Sequence, residues 1–269
     1  MITEPAPTVR ELLAFYLEAG VDCALAEEPV DRLAELDAPP PAPRVAAVQA
    51  PRPVAAPAVI RGEAAPAPDV AIASAREAAR TAPTLEALRE LMQNFEGCAL
   101  KHTATRLVFA DGNPQARIMF VGEAPGRDED IEGLPFVGRS GKLLDLMIGA
   151  IGLNRTTAYI TNVIPWRPPG NRTPTPQETQ ICLPFIQRHI ELVNPDMLVT
   201  LGNPSTQTLL STREGIMRTR GRWFDYDTGQ RTIRALPTFH PAYLLRSPSY
   251  KRLAWQDLRA IAKVLAQGS

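Results

Sequence analysis

Side chains that can activate water, read a hydrogen-bonding edge and stabilise charge follow three apolar runs, which the sequence predicts as strands. Glu123 and Glu129 come after the first run. Asn162 ends the second run, and His240 comes directly after the last one. Because the carboxyl ends of parallel strands meet at one edge of a sheet, where ligands bind, we expect these side chains to share one site.

Each of these residue types suits a different chemical task. A carboxylate orients or deprotonates water. Asn162 offers a donor beside an acceptor, the pairing needed to read a pyrimidine edge, and His240 can donate to an oxygen that gains negative charge. Leu244 and Leu245 next to Arg246 suit an apolar wedge between bases beside a phosphate contact. Taken singly, an acidic Gly/Pro loop is usually a turn and an Asn at a strand end is more often a turn or capping residue, and the alternative for the last stretch is a loop histidine before core leucines.

The charge is divided unevenly along a chain of zero formal net charge. Residues 1–100 hold 8 Lys and Arg against 15 Asp and Glu, whereas residues 101–269 hold 21 against 14. Seventeen of those 21 basic residues are arginine, whose planar fork suits phosphate. The asymmetry favours a nucleic-acid partner, although a solvated surface with a chance sign bias explains it equally well.

Strand and helix patterns alternate through the second half of the chain. Strands are predicted at 107–109, 117–121, 158–164, 197–201 and 232–238. Helices are predicted at 8–19, 71–95, 140–151, 175–193, 203–210 and 250–267. This alternation predicts an α/β fold with a parallel sheet covered on both faces.

The sequence predicts three regions. Residues 1–36 form a helical segment, residues 37–70 a Pro/Ala-rich flexible linker, and residues 71–269 the main domain. Three cysteines without a CxxC pair argue against a disulfide framework. No apolar run is long enough to span a bilayer and no leader is recognised, so we expect a cytoplasmic protein without a membrane partner.

The order and the amino-acid sequences of these motifs resemble those of a known family. GEAPG, PFVGRSGKLLD, YITNVIPWRPPGNRTPTPQE, LVTLG and TFHPAYLLR follow one another as in the iron–sulfur uracil-DNA glycosylases known as family four. The resemblance runs from about Asn94 to Gln267 and leaves out residues 1–70. It implies the uracil-DNA glycosylase fold, a central four-stranded parallel sheet between helices (an α/β/α sandwich), here with an N-terminal helical extension.

The resemblance also implies roles at the base. Phe136 stands where the family stacks an aromatic ring on flipped uracil, and Gly122 of the first motif is a further predicted substrate-binding residue. Asn162 stands where the uracil edge is read and cytosine rejected. Asn171 matches a second polar position near the base or DNA, and His240 matches the histidine that stabilises the uracil anion.

Further roles concern water and DNA. Glu123 and Glu129 match the acidic positions of the first motif, and one or both would position the attacking water. Leu244 stands where the wedge residue does, and Arg246 and Arg172 are predicted DNA contacts.

The match fails at the iron–sulfur cluster. Cys98 and Cys182 match two of the four cysteine ligands, whereas Phe95 and Trp166 stand at the other two. Two thiolates do not replace four. We therefore predict no cofactor, with Cys98 and Cys182 as vestigial cluster positions.

The resemblance implies a monomeric enzyme that hydrolyses the N-glycosidic bond of uracil in single- or double-stranded DNA and releases free uracil. Another interpretation is a non-catalytic DNA- or polymerase-binding module related to a phage DNA polymerase domain. A third, nucleotide binding, is disfavoured because the stretch 122–126 is not GxGxxG and its acids repel phosphate.

Overall fold

The structure, a computed structural model, describes residues 68–267. The helix predicted at 8–19 and nearly all of the predicted linker lie outside the described residues. The described chain forms a six-stranded sheet in the order β1-β3-β2-β4-β6-β5. The strands are β1 Asp111–Gly112, β2 Ile118–Gly122, β3 Tyr159–Asn162, β4 Met197–Leu201, β5 Phe224–Asp227 and β6 Thr232–Thr238.

Ten α-helices surround the sheet in the described part of the chain. They are α1 Pro68–Thr81, α2 Leu85–Asn94, α3 Leu100–Thr103, α4 Arg127–Glu132, α5 Arg139–Gly149, α6 Pro176–Val193, α7 Asn203–Leu210, α8 Ile216–Thr219, α9 Pro241–Arg246 and α10 Lys251–Gln267. None of them is long and apolar enough to cross a membrane.

The four central strands are parallel, which confirms the predicted core of the fold. The sheet has two further strands, β1 and β5, which pair antiparallel at its two edges. β1 is only two residues long and β5 alternates exposed and buried positions, so neither shows the continuous apolar run of a central strand.

Alternate residues of the central strands build two cores. One row across the sheet, in register, is Ile160, Phe120, Val199 and Leu236. This row packs with α5 and α10. The neighbouring row is Tyr159, Met119, Leu198 and Ala235, which packs with α1, α2 and α6. The sheet is therefore covered on both faces, as the continuous apolar runs predict.

Three local predictions are corrected by the structure. Residues 107–109 are not a strand, because they make isolated bonds such as Val108 N–H to Pro165 O (2.9 Å) rather than a ladder. The helix predicted at 71–95 is two helices, since Thr84 caps a new one through the Ala87 N–H. Glu129, expected in a loop, lies on the short helix α4.

Candidate active site

The carboxyl ends of the central strands open onto one cavity of about 340 Å³. Gly122 at the end of β2 pairs with Asn162 at the end of β3. His240 follows β6 directly. The cavity is lined by Glu123, Asn162 and His240, together with Glu129, Phe136, Asn171, Arg172 and Arg246. The structure therefore places these side chains together at one edge of the sheet, as predicted.

Gly122 leaves room for two side chains of the cavity. A Cβ atom added there would lie 2.3 Å from Asn162 Oδ1 and 2.6 Å from the ring of Phe136. Both distances are far below van der Waals contact, so any larger residue would displace the amide or the ring.

Phe136 is held in an uncommon backbone conformation. Its φ is 55°, and a Cβ on Gly141 would lie 1.7 Å from its carbonyl oxygen, so α5 can approach only through a glycine. Arg155 donates to the carbonyl oxygens of both Pro135 (3.1 Å) and Phe136, and it pairs with Asp145. Arg155 therefore fixes the loop that carries the ring. The sequence analysis missed it, since no local motif marks a residue that acts from 19 positions away.

The hydrogen bond of His240 defines its tautomer. The Ala242 N–H donates to His240 Nδ1 (3.1 Å), so the proton of the neutral ring sits on Nε2. Burial, with Arg246 as a second cause, lowers the pKa of His240 to about 4. The ring is therefore neutral at pH 7 with one N–H to donate. It lies 5.5 Å from the Phe136 ring between centroids.

Asn162 carries an oxygen without a partner. The residue is 5% exposed, and Oδ1 accepts no hydrogen bond from any described residue. Only Asn203 shares this condition in the described part of the chain, and it does not line the cavity. A buried acceptor left unpaired costs free energy, so this oxygen calls for a ligand that donates to it.

The two glutamates differ in their surroundings. Glu129 Oε2 accepts the Gly126 N–H (3.0 Å), and Oε1 accepts those of Val137 (3.1 Å) and Gly138 (3.0 Å). Its carboxylate thus joins the loop after β2 to the loop that carries the stacking ring. No hydrogen bond engages the Glu123 carboxylate among the described residues, and burial raises its pKa.

Two predicted residues of the 167–175 loop lie at the rim. Asn171 is exposed, has φ 55°, and accepts a hydrogen bond from Arg167 Nε (2.6 Å). Arg172 is paired in a fork with Glu178, at 2.9 and 2.6 Å, and that pair lowers the pKa of Glu178. Most of the Arg172 donors are therefore occupied within the protein.

The predicted wedge lies in the core. Leu244 is 1% exposed and packs in the cluster with Phe239 and Leu258. In this structure the Leu244 side chain therefore faces the core and not the surface, and its assignment as the wedge stays a prediction. The next residue, Leu245, is 37% exposed.

A second cleft, of about 530 Å³, adjoins the cavity and shares Gly126, Asn171 and Arg246 with it. Its lining also includes Leu245 and the exposed side chains of Arg127, Asp128 and Arg139. Its three arginines form no salt bridge with any described residue. The sequence analysis missed Arg127 and Arg139, although an arginine right after a glycine near a strand end was a usable signal.

The fold and the cavity define a class of protein, an α/β protein with a polar cavity at the carboxyl ends of its parallel strands. The pattern of the Uracil DNA glycosylase superfamily matches residues 109–259. A Type-4 uracil-DNA glycosylase of Sulfurisphaera tokodaii is 39% identical over 186 residues, 67% of this chain and 84% of that protein. One of Thermotoga maritima is 40% identical over 177 residues, 65% of this chain and 91% of that protein. The chain belongs to the uracil-DNA glycosylase superfamily, as a family-four-like member.

A DNA polymerase of Bacillus phage SP01 is also similar, at 28% identity over 167 residues. The match covers 62% of this chain but only 18% of the polymerase. This weaker similarity does not favour a polymerase-related module over the glycosylase family.

The family implies a four-thiolate iron–sulfur cluster, and the residues of this chain do not fit one. Cys98 and Cys182 are free, buried, and close enough to hydrogen-bond, which lowers the pKa of Cys98. Phe95 and Trp166, at the other two ligand positions, are 7% and 2% exposed. Phe95 packs edge-on against Phe185 at 5.0 Å and occupies the space over Gly97. Aromatic rings fill this core beside the two thiols.

Proposed function

We propose that this chain is a uracil-DNA glycosylase, which flips uracil out of DNA and hydrolyses its N-glycosidic bond to begin base excision repair. The observation that carries the proposal is the unpaired, buried Oδ1 of Asn162 in the cavity. Uracil has a donor, N3–H, beside an acceptor, O4. The Asn162 amide matches both groups at once, whereas cytosine presents the opposite pattern and would leave the amide mispaired.

His240 stabilises the leaving base in this scheme. Its Nε2–H donates to uracil O2, which gains negative charge as the bond to the sugar breaks. The neutral ring keeps its Nδ1 as acceptor for the Ala242 N–H, so the donor stays aimed without a change of protonation. Phe136 stacks on the base, and Gly122 leaves the space for that stack.

Glu123 orients the water. The N1–C1′ bond breaks with its electron pair passing to the base, and the sugar becomes oxocarbenium-like. The water oxygen then bonds to C1′ while one water proton passes to the Glu123 carboxylate, which returns it to the uracil anion through solvent. We assign Glu129 a positioning role, because three backbone donors already occupy its carboxylate.

The DNA backbone follows the second cleft, which we call the arginine cleft because Arg127, Arg139 and Arg246 line it. Arg246, Arg127 and Arg139 are exposed donors for the phosphates that flank the flipped nucleotide. Leu245 is the wedge, and Arg172 and Asn171 hold the rim of the base cavity.

The scheme uses no cofactor. We propose that the positions of Phe95 and Trp166 are structural core, so the cluster is absent and Cys98 and Cys182 are vestigial. We propose a monomeric, cytoplasmic protein, and the free Cys98 and Cys182 fit a reducing compartment.

The test uses labelled oligonucleotides with one uracil, single- and double-stranded, incubated with the protein in EDTA, treated with hot alkali, and resolved on a denaturing gel. We expect cleavage at uracil and none at thymine. Asn162→Ala and His240→Ala should each lower the rate about 10²–10³-fold, the cost of removing a transition-state donor.

The matched controls remove the same side chains from exposed sites, in Asn94→Ala and His102→Ala. They should keep full activity. Absence of cleavage on both substrates with the unaltered protein would refute the proposal and leave a binding module as the function to examine.

A further inference from the structure

A second groove, of about 580 Å³, lies beside Trp166. We call it the Trp166 groove. Its lining includes Arg89, Lys101, Arg106, Glu132, Leu134 and Trp166. None of these residues lines the base cavity or the arginine cleft, and the reaction scheme uses none of them.

The charge of the groove is positive. Arg89 and Arg106 are exposed and form no salt bridge with any described residue, whereas Lys101 pairs with Glu96. The carboxylate of Glu132 is the only one in the lining. The groove thus presents two unpaired guanidinium groups, which suit phosphate.

Another cleft shows what a neutralised surface looks like in this protein. It lies between α1, α6 and the turn before β6, and it is also lined by arginines. There Arg80 pairs with Glu77 and Arg188 with Glu191, both at 2.6 Å, and only Arg76 of its three arginines forms no salt bridge with a described residue. Most of the arginine charge in that cleft is therefore neutralised by carboxylates, whereas Arg89 and Arg106 of the Trp166 groove are both unpaired.

The groove also has apolar lining. Leu134 is 41% exposed and Leu107 is partly buried, with the buried Trp166 beside them. Apolar side chains next to cationic ones suit a single nucleic-acid strand, with bases on the apolar side chains and phosphates on the guanidinium groups.

The groove and the base cavity are lined by neighbouring parts of the chain. Trp166 lines the groove and Pro168 the cavity, and on α4 Glu132 lines the groove and Glu129 the cavity. The carboxylate of Asp130 between them accepts the N–H groups of Thr105 (2.7 Å) and Arg106 (3.2 Å). It also lies 3.9 Å from Arg167, which donates to Asn171 at the cavity rim.

We propose that the Trp166 groove binds the uracil-bearing DNA strand on one side of the flipped nucleotide, with Arg89 and Arg106 as phosphate contacts. The inference rests on the proposed function for the identity of the strand. It adds a binding site for flanking nucleotides outside the base cavity. Arg89 and Arg106 act on affinity for longer strands and leave the chemistry unchanged.

The experiment compares single-stranded oligonucleotides lengthened only on the 5′ or only on the 3′ side of uracil. With the unaltered protein, kcat/KM should rise with length on one side only. The Arg89→Ala/Arg106→Ala double variant should lose that rise and match the unaltered protein on the shortest substrate. The slope of log Kd against log salt should fall by about 1.4, since each single-strand phosphate contact contributes ~0.7.

Binding is measured in parallel by fluorescence anisotropy on the same strands with thymine in place of uracil, so it is independent of excision. The control variant is Arg117→Ala, which removes an arginine at the amino end of β2 that pairs with Asp196. An unchanged salt slope in the double variant, or an equal rise in kcat/KM from both extensions, would contradict strand binding in the Trp166 groove. Loss of excision with a normal length-dependent Kd would instead refute only the proposed reaction.

Discussion

Six positions separate Glu123 from Glu129, and their surroundings assign them different work. Glu129 is buried at the start of α4 with three backbone donors on its two oxygens. Glu123 faces the cavity with a pKa raised by burial. A raised pKa strengthens a carboxylate as a base, provided that it is ionised.

Glu123→Gln is expected to lower kcat about 10²–10⁴-fold, because general-base catalysis contributes that much. In the unaltered protein kcat should fall as the pH drops through the raised pKa of Glu123, since only the carboxylate accepts the water proton. The variant should lose this acid limb. Pre-steady-state excision across the acid range measures both effects, and an unchanged acid limb in the variant would assign it to another group.

Glu129→Gln is expected to act differently. The amide keeps one acceptor and turns an NH₂ group towards a backbone donor, at a cost of about 1–3 kcal/mol in the free energy of unfolding. The stacking loop loosens, so KM should rise more than kcat falls. Urea unfolding and steady-state kinetics separate this result from that of Glu123→Gln. A large fall in kcat at normal stability would show that Glu129 acts directly on the reaction.

Two buried histidines predict how stability depends on pH. Burial lowers the pKa of His240 to about 4 and that of His189 to about 3. Below pH 6.5 the unfolded chain takes up protons that the folded chain does not, so the free energy of unfolding should fall as pH drops from 6.5 towards 3. Above pH 6.5 this contribution should be complete and constant.

The fall is expected to be about 1.4 kcal/mol per pH unit for each histidine until its lowered pKa is reached, measured as urea midpoints at successive pH values. His189 donates to or accepts from the Tyr159 hydroxyl at 2.8 Å. The His189→Leu/Tyr159→Phe double variant removes both polar partners together, so it should fold and show a shallower pH dependence. The same slope in that variant would assign the acid sensitivity to other groups.

Helix α9 turns adjacent leucines in opposite directions. Leu244→Ala is expected to lower the free energy of unfolding by about 2–5 kcal/mol, because it opens a cavity in the core. Leu245→Ala should leave stability unchanged and slow excision from duplex DNA about tenfold, the effect of roughly 1.4 kcal/mol of lost wedge contact. Excision from single strands should change little, because they need no unstacking of a duplex.

Thermal melts and duplex excision rates of both variants decide the matter. Leu146→Ala, at a 72% exposed position on α5, is the matched surface control. If the folded Leu244→Ala protein excised uracil from duplex DNA more slowly and the Leu245→Ala protein did so at the normal rate, Leu244 would be the wedge.

Elements with strong local signals were predictable from the sequence. The Thr175–Glu178 capping box begins α6 as predicted, and β4, α7 and β6 have their predicted bounds. The short helices α4 and α9 escaped prediction, because six residues are too few to show a helical period. The direction of Leu244 depends on α9, so the sequence could not show that this side chain packs in the core.

At the scale of the whole molecule, the order of strands was the part that the sequence could not supply. The alternation of strands and helices predicts a parallel sheet, and strand ends then predict where Asn162 and His240 gather. Contacts that depend on tertiary packing had no local signal, such as Arg155 on the Phe136 loop or the unpaired state of Arg106.

The aromatic core beside Cys98 and Cys182 stabilises the whole domain. Phe95→Ala should lower the free energy of unfolding by about 3–5 kcal/mol, because a buried ring is replaced by a cavity. Purified protein should hold no stoichiometric iron and should show no absorbance near ~400 nm. Elemental analysis and urea unfolding with and without chelator are the measurements, and a chelator-sensitive midpoint would contradict the aromatic core.

The packing of Phe95 over Gly97 predicts how the level of this protein responds to iron starvation in the cell. On the proposal that no cluster is bound, this core needs no delivery of metal by other proteins in order to fold. Cells starved of iron should therefore keep a normal level of this protein while levels of cluster-dependent enzymes decline. Exposure to air or peroxide during growth should likewise leave its abundance unaltered, so uracil removal would continue under the conditions in which cytosines and cofactors suffer most.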